Sequence, residues 1–245
     1  MQDLPDATTL FKVMDTTWPP RETTACGPFM LRDGGGGGKR VSAATCPGGQ
    51  ASRAEVEAAA DAMRAVGEPA LFGLRGGQED LDNLLESMGF SVIDRVVIYA
   101  ASAAALARLA PEGMVAIFAD APLAIQQEIW SQGGIGLERL AVMARAPSPK
   151  THILARLEDR PAGVGFVGLH GDIAMLHALE VLPEMRRKGL GAAVSTSAAK
   201  WAVGQGARIF SLVTTVENTA SNALYSGLGM TVCARYHYRI LQEAS

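Results

Sequence analysis

"EVLPEMRRKGLGAAVS", residues 180–195, decides how this chain is read. An apolar run leads into it, and the loop from Glu184 to Gly189 carries three consecutive cations, Arg186, Arg187 and Lys188. Leu190, Ala193, Val194 and Ala198 then follow at helical spacing. A strand that enters a glycine-bearing loop and then a helix start gathers free backbone N–H groups, and the helix dipole adds partial positive charge there. Gly189 and Gly191 let an anion approach the main chain where a Cβ would intrude. These features describe an anion seat, most economically one for a pyrophosphate. A bare Gly-x-Gly also serves tight packing beside a solvated basic turn, so the surroundings decide between the two.

Downstream of the loop, "AAVSTSAAKWAVGQG" predicts a helix, "ARIFSLVT" a strand, "ASNALYSGLGM" a helix and "TVCARYHYRI" a strand. Upstream, "KTHILARLED", "RPAGVGFVGLHG" and "IAMLHALEVL" read as three successive strands separated by Asp-Arg-Pro and His-Gly-Asp turns. A helix, "PLAIQQEIWSQ", and an apolar run, "MVAIFA", precede them. The first half of the chain repeats the later order. "RAEVEAAADAMRAVG" is a helix ending on glycine, "PALFGL" a buried strand, "LDNLLESMGF" a helix and "SVIDRVVIYA" a strand, before alanine-rich residues 101–112. Gly89 falls on Gly229, 140 positions later, and Gly67 on Gly206, 139 later. A period this long predicts two α/β domains with mixed central sheets flanked by helices, spanning 1–105 and 113–245.

Arg186-x-x-Gly189-x-Gly191 resembles the (Arg/Gln)-x-x-Gly-x-(Gly/Ala) loop of the GCN5-related N-acetyltransferases, the GNAT family. The resemblance runs from about Pro122 to Ile240, and "NTASNALYSGLGM" is similar to the family's later Asn…Ala-Leu-Tyr…Leu-Gly-Phe helix, with Met230 in place of phenylalanine. It implies acetyl-CoA as cosubstrate. Its pyrophosphate would lie on the loop at Arg186, Arg187, Lys188, Gly189, Leu190, Gly191 and Ala192, and its pantetheine arm between the fourth and fifth strands beside Leu179 and Val181. Asn218, Asn222 and Tyr225 of the later helix complete the implied contacts, and Tyr225 matches the family's usual acid for the leaving thiolate. For the base, the resemblance offers His177, a residue type suited to a general base near working pH, with Glu180 the fallback, acting through water; several members of the family use no dedicated base. Alternation puts Met175, His177, Leu179 and Val181 on one face of their strand and Glu180 on the other. Both His177 and Tyr225 also fit ordinary core positions.

The same displacement puts Leu85 at the position of Tyr225 and Asp82 at that of Asn222, and "PGGQA" at 47–51 lacks the basic loop. The first half therefore reads as a degenerate GNAT-like domain that completes the fold and walls the acceptor pocket. Trp18, Arg40, Trp130, Tyr236 and Tyr238 line that pocket or simply pack. The function implied is an N-acetyltransferase moving acetyl directly from acetyl-CoA to a primary amine of a small or amino-acid-like molecule. A protein N-acetyltransferase and a catalytically idle acyl-CoA-binding or sensor protein are the alternatives.

Composition agrees. The 245 residues carry a net charge of -3, which gives no general attraction to nucleic acid or anionic membrane, and 48% are hydrophobic, enough for a full core. No apolar run approaches the roughly 20 residues of a membrane helix, and "MQDLPDATTLFK" does not read as a secretory signal. Cys26, Cys46 and Cys233 are an odd number without CxxC spacing, which suits reduced thiols in a cytoplasmic monomer or homodimer and argues against a metal site. The tract "DGGGGGKRVS", residues 33–42, fails the Walker A pattern at Asp33 and Arg40. Between "GPFMLR" and "RVSAATC", both read as strands, it predicts a glycine-rich hairpin turn.

Overall fold

The computed structural model describes residues 3–112 and 115–241. Met114, first residue of the predicted MVAIFA strand, lies outside them, as do Met1, Gln2 and Gly113. In chain order the elements are α1 (Ala7–Thr17), β1 (Glu22–Cys26), β2 (Phe29–Asp33), α2 (Lys39–Ser42), β3 (Ala44–Thr45), α3 (Arg53–Ala65), β4 (Leu71–Arg75), α4 (Glu79–Ser87), β5 (Ser91–Ser102) and α5 (Ala103–Ala107). There follow β6 (Val115–Ala119), α6 (Ala124–Gln132), α7 (Leu137–Arg145), β7 (Lys150–Leu157), β8 (Arg160–His170), β9 (Ile173–Val181), α8 (Leu190–Gly204), β10 (Ile209–Thr215), α9 (Thr219–Gly227) and β11 (Thr231–Ile240). The fold is mixed α/β, as the pattern predicts. Helices α4 and α9 start and end 140 positions apart, and β5 and β11 start at the same displacement.

The chain packs as two compact units. One holds the residues up to Pro19, Ile98–Thr214 and Asn218–Cys233; the other holds Pro20–Val97, Thr215–Glu217 and the chain from Ala234. Strands β5 and β11 each contribute residues to both units.

In the first unit β6, β7, β8 and β9 form an antiparallel meander. Strand β10 joins β9 in parallel from Ile209–Ile173 to Leu212–Leu176, and both strands continue beyond that ladder. Glycines in β8 let helices approach both faces. A Cβ on Gly165 would meet Val194 of α8 at 3.3 Å, and one on Gly168 would meet Thr17 of α1 at 2.7 Å; their odd separation puts the two on opposite faces. Helix α8 is apolar nearly all round and buried accordingly, with Ser195 and Thr196 turning their hydroxyls back to the Gly191 and Ala192 carbonyls. Helix α1, capped by Asp6 accepting from Thr9 N at 2.8 Å, buries Leu10, Phe11, Val13, Met14 and Thr17.

In the second unit β1 and β2 pair as a hairpin through Gly27, whose φ of 55° a side chain rarely adopts. Strand β3 joins β2 antiparallel and β4 in parallel, and β4 pairs with β11 from Tyr236–Arg75 to Ile240–Leu71. Phe29, Phe72 and Phe90 meet edge-on at the centre of its core. "RVSAATC" is not the predicted strand. Lys39–Ser42 form a short helical turn, and only Ala44–Thr45 of this stretch form a strand. Its apolar residues lack strict alternation, and the turn packs on Gly34, where a Cβ would fall 2.8 Å from Val41.

Candidate active site

The site grows from an irregularity in β9. Phe166 pairs with His177, but Val164 pairs with Glu180, so β9 holds one residue more than β8 between these pairs. Ala178 takes up the bulge at φ 50°, a conformation costly for alanine, and Trp130 Nε1 donates to its carbonyl at 2.8 Å. The extra residue reverses the alternation. Glu180 lies on the same face as His177, not on the opposite face predicted for it. Trp130, fully buried, supports the bulge from α6. Beyond the bulge β9 and β10 run on past the last residues of their ladder, and Leu179 and Val181 sit in that stretch, half-buried.

The loop after β9 makes a short turn at Pro183–Met185 and delivers Gly189 as the N-cap of α8. Gly189 is left-handed, at φ 79°, as is Arg187, at φ 62°. No side chain caps α8, so the N–H groups of its first turn, from Leu190, Gly191 and Ala192, face outward without a cap acceptor. Arg187 and Lys188 are exposed beside them. Arg186 folds back instead: its Nε donates to Val181 O at 3.0 Å and its Nη2 pairs with Glu180 Oε1 at 3.0 Å. Gly191 has a second role that spacing did not reveal. A Cβ there would fall 2.9 Å from Leu224 Cδ2, so the glycine lets α8 meet α9 one residue from Tyr225.

Tyr225 is buried, and burial pushes its phenol up to about 12. It stays protonated through the neutral range, with Tyr99 against it at a ring separation of 5.7 Å. Asn222 accepts from Tyr99 Oη at 2.9 Å, and its amide donates to Asn218 O at 2.8 Å; Asn218 in turn caps α9 by accepting from Ser221 N. Asn218 and Asn222 thus shape α9 itself.

His177 is buried on the other side of β9 from α8. Its Nε2 lies 2.8 Å from Thr17 Oγ1, and Trp18 stacks over it at 5.0 Å between centroids. Both partners come from α1 and its cap. That helix was legible in "DATTLFKVMDTT", where Asp precedes apolar residues at helical spacing, and sequence reasoning passed over it, as it did over α7. Tyr236, Tyr238 and Arg40 belong to the second unit, where the Tyr238 phenol is pushed well up by burial. Among the described residues no group of three His, Cys, Asp or Glu could hold a metal ion, and no helix is long and apolar enough to cross a membrane. Cys26, Cys46 and Cys233 are free thiols.

Known proteins can now be set beside this geometry. Residues 114–230 match the model of the Acetyltransferase (GNAT) family. An aminoglycoside N(6')-acetyltransferase type 1 from Klebsiella aerogenes is 30% identical over 103 residues, which are 42% of this chain and 66% of that enzyme. A GCN5-related N-acetyltransferase from Kribbella flavida superimposes with a TM-score of 0.76 at 19% identity, over 99% of this chain and 98% of its own. A tandem GNAT protein from the clavulanic acid biosynthesis pathway superimposes with a TM-score of 0.60 at 14% identity, over 100% of this chain and 91% of its own. The last two speak for the fold over its whole length, and the first two are likenesses of sequence within its second half. The stretch that carries the bulged strand, the basic loop and the α9 tyrosine is thus the stretch that is similar to the GNAT family of acetyltransferases.

Proposed function

We propose that this chain is an acetyl-CoA-dependent N-acetyltransferase acting on a primary amine of a small or amino-acid-like molecule. The observation that carries the reading is the uncapped start of α8, with Arg187 and Lys188 beside it, next to the stretch where β9 and β10 run on past their ladder. First-turn amides and two cations fit a pyrophosphate, and the parted strand ends fit a narrow pantetheine arm. Acetyl-CoA supplies the acetyl group as a thioester. Leu179 and Val181, which follow the last β9–β10 pair at Leu176–Leu212, would flank the arm. Tyr225 gives its proton to the departing sulfur as the C–S bond breaks. His177 receives the proton that the amine loses as its nitrogen bonds to the carbonyl carbon. Glu180, on the same face, serves that transfer through water where the acceptor keeps the imidazole out of reach. The first half, with Leu85 in place of Tyr225 and no basic loop, takes no cofactor in this reading.

The match to an aminoglycoside acetyltransferase puts aminoglycosides first among acceptors, followed by simpler primary amines and amino acids. The test is release of free CoA thiol from acetyl-CoA across such a panel, with mass detection of the acylated product. Acceptor-dependent thiol release supports the reading. Tight acetyl-CoA binding without release on any amine, peptides included, leaves an idle acyl-CoA-binding protein in its place.

A further inference from the structure

The three consecutive cations before α8 are not equivalent. Lys188 Nζ has only the Met185 sulfur, at 3.9 Å, and the Arg187 side chain has no partner among the described residues. Arg186 is committed to β9. Its Nε donates to Val181 O and its Nη2 to Glu180 Oε1, both at 3.0 Å, so one planar guanidinium spans the backbone of the strand and its carboxylate. The carboxylate is also seated from α6. A Cβ on Gly133, the C-cap of that helix, would fall 2.6 Å from Glu180 Cγ and Cδ and 2.7 Å from Oε2. The backbone does not call for glycine there. Gly133 has φ -83° and ψ 6°, and Leu228 ends α9 at φ -80° and ψ 2°. What the glycine supplies is the room that Glu180 fills. Unlike the buried imidazole of His177, this seat meets solvent: the Glu180 side chain is 20% exposed, and Oε2 has no partner among the described residues.

We infer that Arg186 is a positioning residue for acetyl transfer: together with Gly133 it holds Glu180 with Oε1 occupied and Oε2 left to solvent, and it takes no phosphate of the cofactor. This rests on the reading in which Glu180 serves the transfer through water. In that step a water at Oε2 takes the proton leaving the amine nitrogen as the N–C bond forms, and passes one of its own protons to Oε2. The proton that reaches the sulfur comes from Tyr225. Exchange with solvent then removes one proton from Glu180 and returns one to Tyr225, so the cycle closes without any other reactant. The loop thereby divides its charge, with Arg187 and Lys188 left for the anion and Arg186 spent on the group that receives the proton.

The test sets neighbouring cations against each other, by calorimetric titration with acetyl-CoA and by thiol release with the amine that releases most. Arg186→Gln should keep its acetyl-CoA affinity within about twofold and lower kcat roughly 10-fold. Arg187→Gln, by contrast, should bind acetyl-CoA about 10-fold more weakly. Gly133→Ala crowds the carboxylate without removing either charge, and should repeat the kcat loss at unchanged acetyl-CoA affinity. In a Glu180→Gln background Arg186→Gln should cost nothing further, since it acts only through that carboxylate. An Arg186→Gln variant that loses as much acetyl-CoA affinity as Arg187→Gln overturns the inference, and so do additive losses of kcat in the double variant. Glu180→Gln at wild-type kcat overturns it too, while leaving acetyl transfer itself in place. Thiol release from no amine sinks the transferase reading instead, and the role of Arg186 with it. Should Arg186→Gln fail to fold, Gly133→Ala decides by the same two readouts.

Discussion

At the start of α3, Ser52 accepts a hydrogen bond from Glu55 N, and the Glu55 carboxylate accepts from both Ser52 N and Ser52 Oγ at 2.7 Å. At the start of α8, the N-cap is Gly189, the residue three positions on is Ala192, and no side chain caps the turn. These helices hold corresponding places in the two halves of the chain. In the first the orphan amides and the positive end of the dipole meet the helix's own carboxylate. In the second the same groups are left to something outside the helix, with Arg187 and Lys188 adding charge of the same sign. The difference teaches that a folded helix start and an anion seat are the same object, distinguished by whether the chain fills it. A second contrast runs in parallel. Asp82 of α4 pairs with Arg239 at 2.7 Å and His237 at 2.9 Å, whereas Asn222 of α9 takes a neutral hydrogen bond from Tyr99, the position 140 before Arg239. One unit has a charged lock at the place where the other has an uncharged polar contact.

The contrast breaks most visibly if the α3 arrangement is moved to α8. Ala192→Glu places a carboxylate at the N3 position of α8, where α3 has Glu55. Loss of two or three charge-assisted contacts at about 1.5 kcal/mol or more each predicts acetyl-CoA binding weaker by on the order of 1000-fold, with the circular dichroism spectrum unchanged. Tyr225→Phe comes next. We expect kcat to fall about 100-fold with acetyl-CoA affinity retained. Because burial pushes the phenol up to about 12, the wild-type protein should show no loss of kcat from Tyr225 ionisation between pH 7 and 10; a limb inside that range, absent from Tyr225→Phe, would contradict the raised phenol, and an unchanged kcat in Tyr225→Phe would contradict the acid role.

Smaller effects sharpen the comparison in the first half. Asp82→Asn copies the α9 residue into α4 but leaves Arg239, 5% exposed, with the longer contact to Glu86 at 3.6 Å in place of its 2.7 Å ion pair. Discounted for the partial exposure of Asp82, this should cost about 1–2 kcal/mol in urea unfolding. The ion pair and its histidine partner outweigh desolvation and hold the Asp82 carboxyl below its ordinary value. Stability from this group is therefore present above the unfolded pKa and lost as pH falls through the lower folded one, and the Asp82→Asn difference should shrink on acidification. The smallest effect belongs to the α3 cap. Hydrogen bonds from Ser52 hold the Glu55 carboxyl below 4.5, so by the same sign Glu55→Gln lowers the melting temperature slightly at neutral pH and not at all in strong acid, and it leaves acetyl-CoA binding untouched.

Much of this was legible in the sequence because it depends on local pattern. Glycines ending helices, the meander's turns and the Arg186–Gly191 loop all announce themselves within a few residues, and the displacement of 140 survives in the element boundaries. What was not legible depends on positive φ or on long-range contact. An alanine at φ 50° leaves no mark in an alternation pattern, yet it moves Glu180 to the His177 face. The ion pair of Arg186 with Glu180, six positions back, depends on the turn geometry and leaves no mark in the loop's pattern. Thr17 reaches His177 across 160 positions. The short α2 was misread because apolar residues in "RVSAATC" fit neither period cleanly.

Calorimetric titration of the full chain with acetyl-CoA, wild type beside Ala192→Glu, tests the central claim most directly. We expect one site per chain in the wild type, and no measurable heat of binding in the variant at the same concentrations. Two sites per chain, or a variant that binds as tightly as the wild type, would contradict it: the open start of α8 would then not be the seat that distinguishes the two halves.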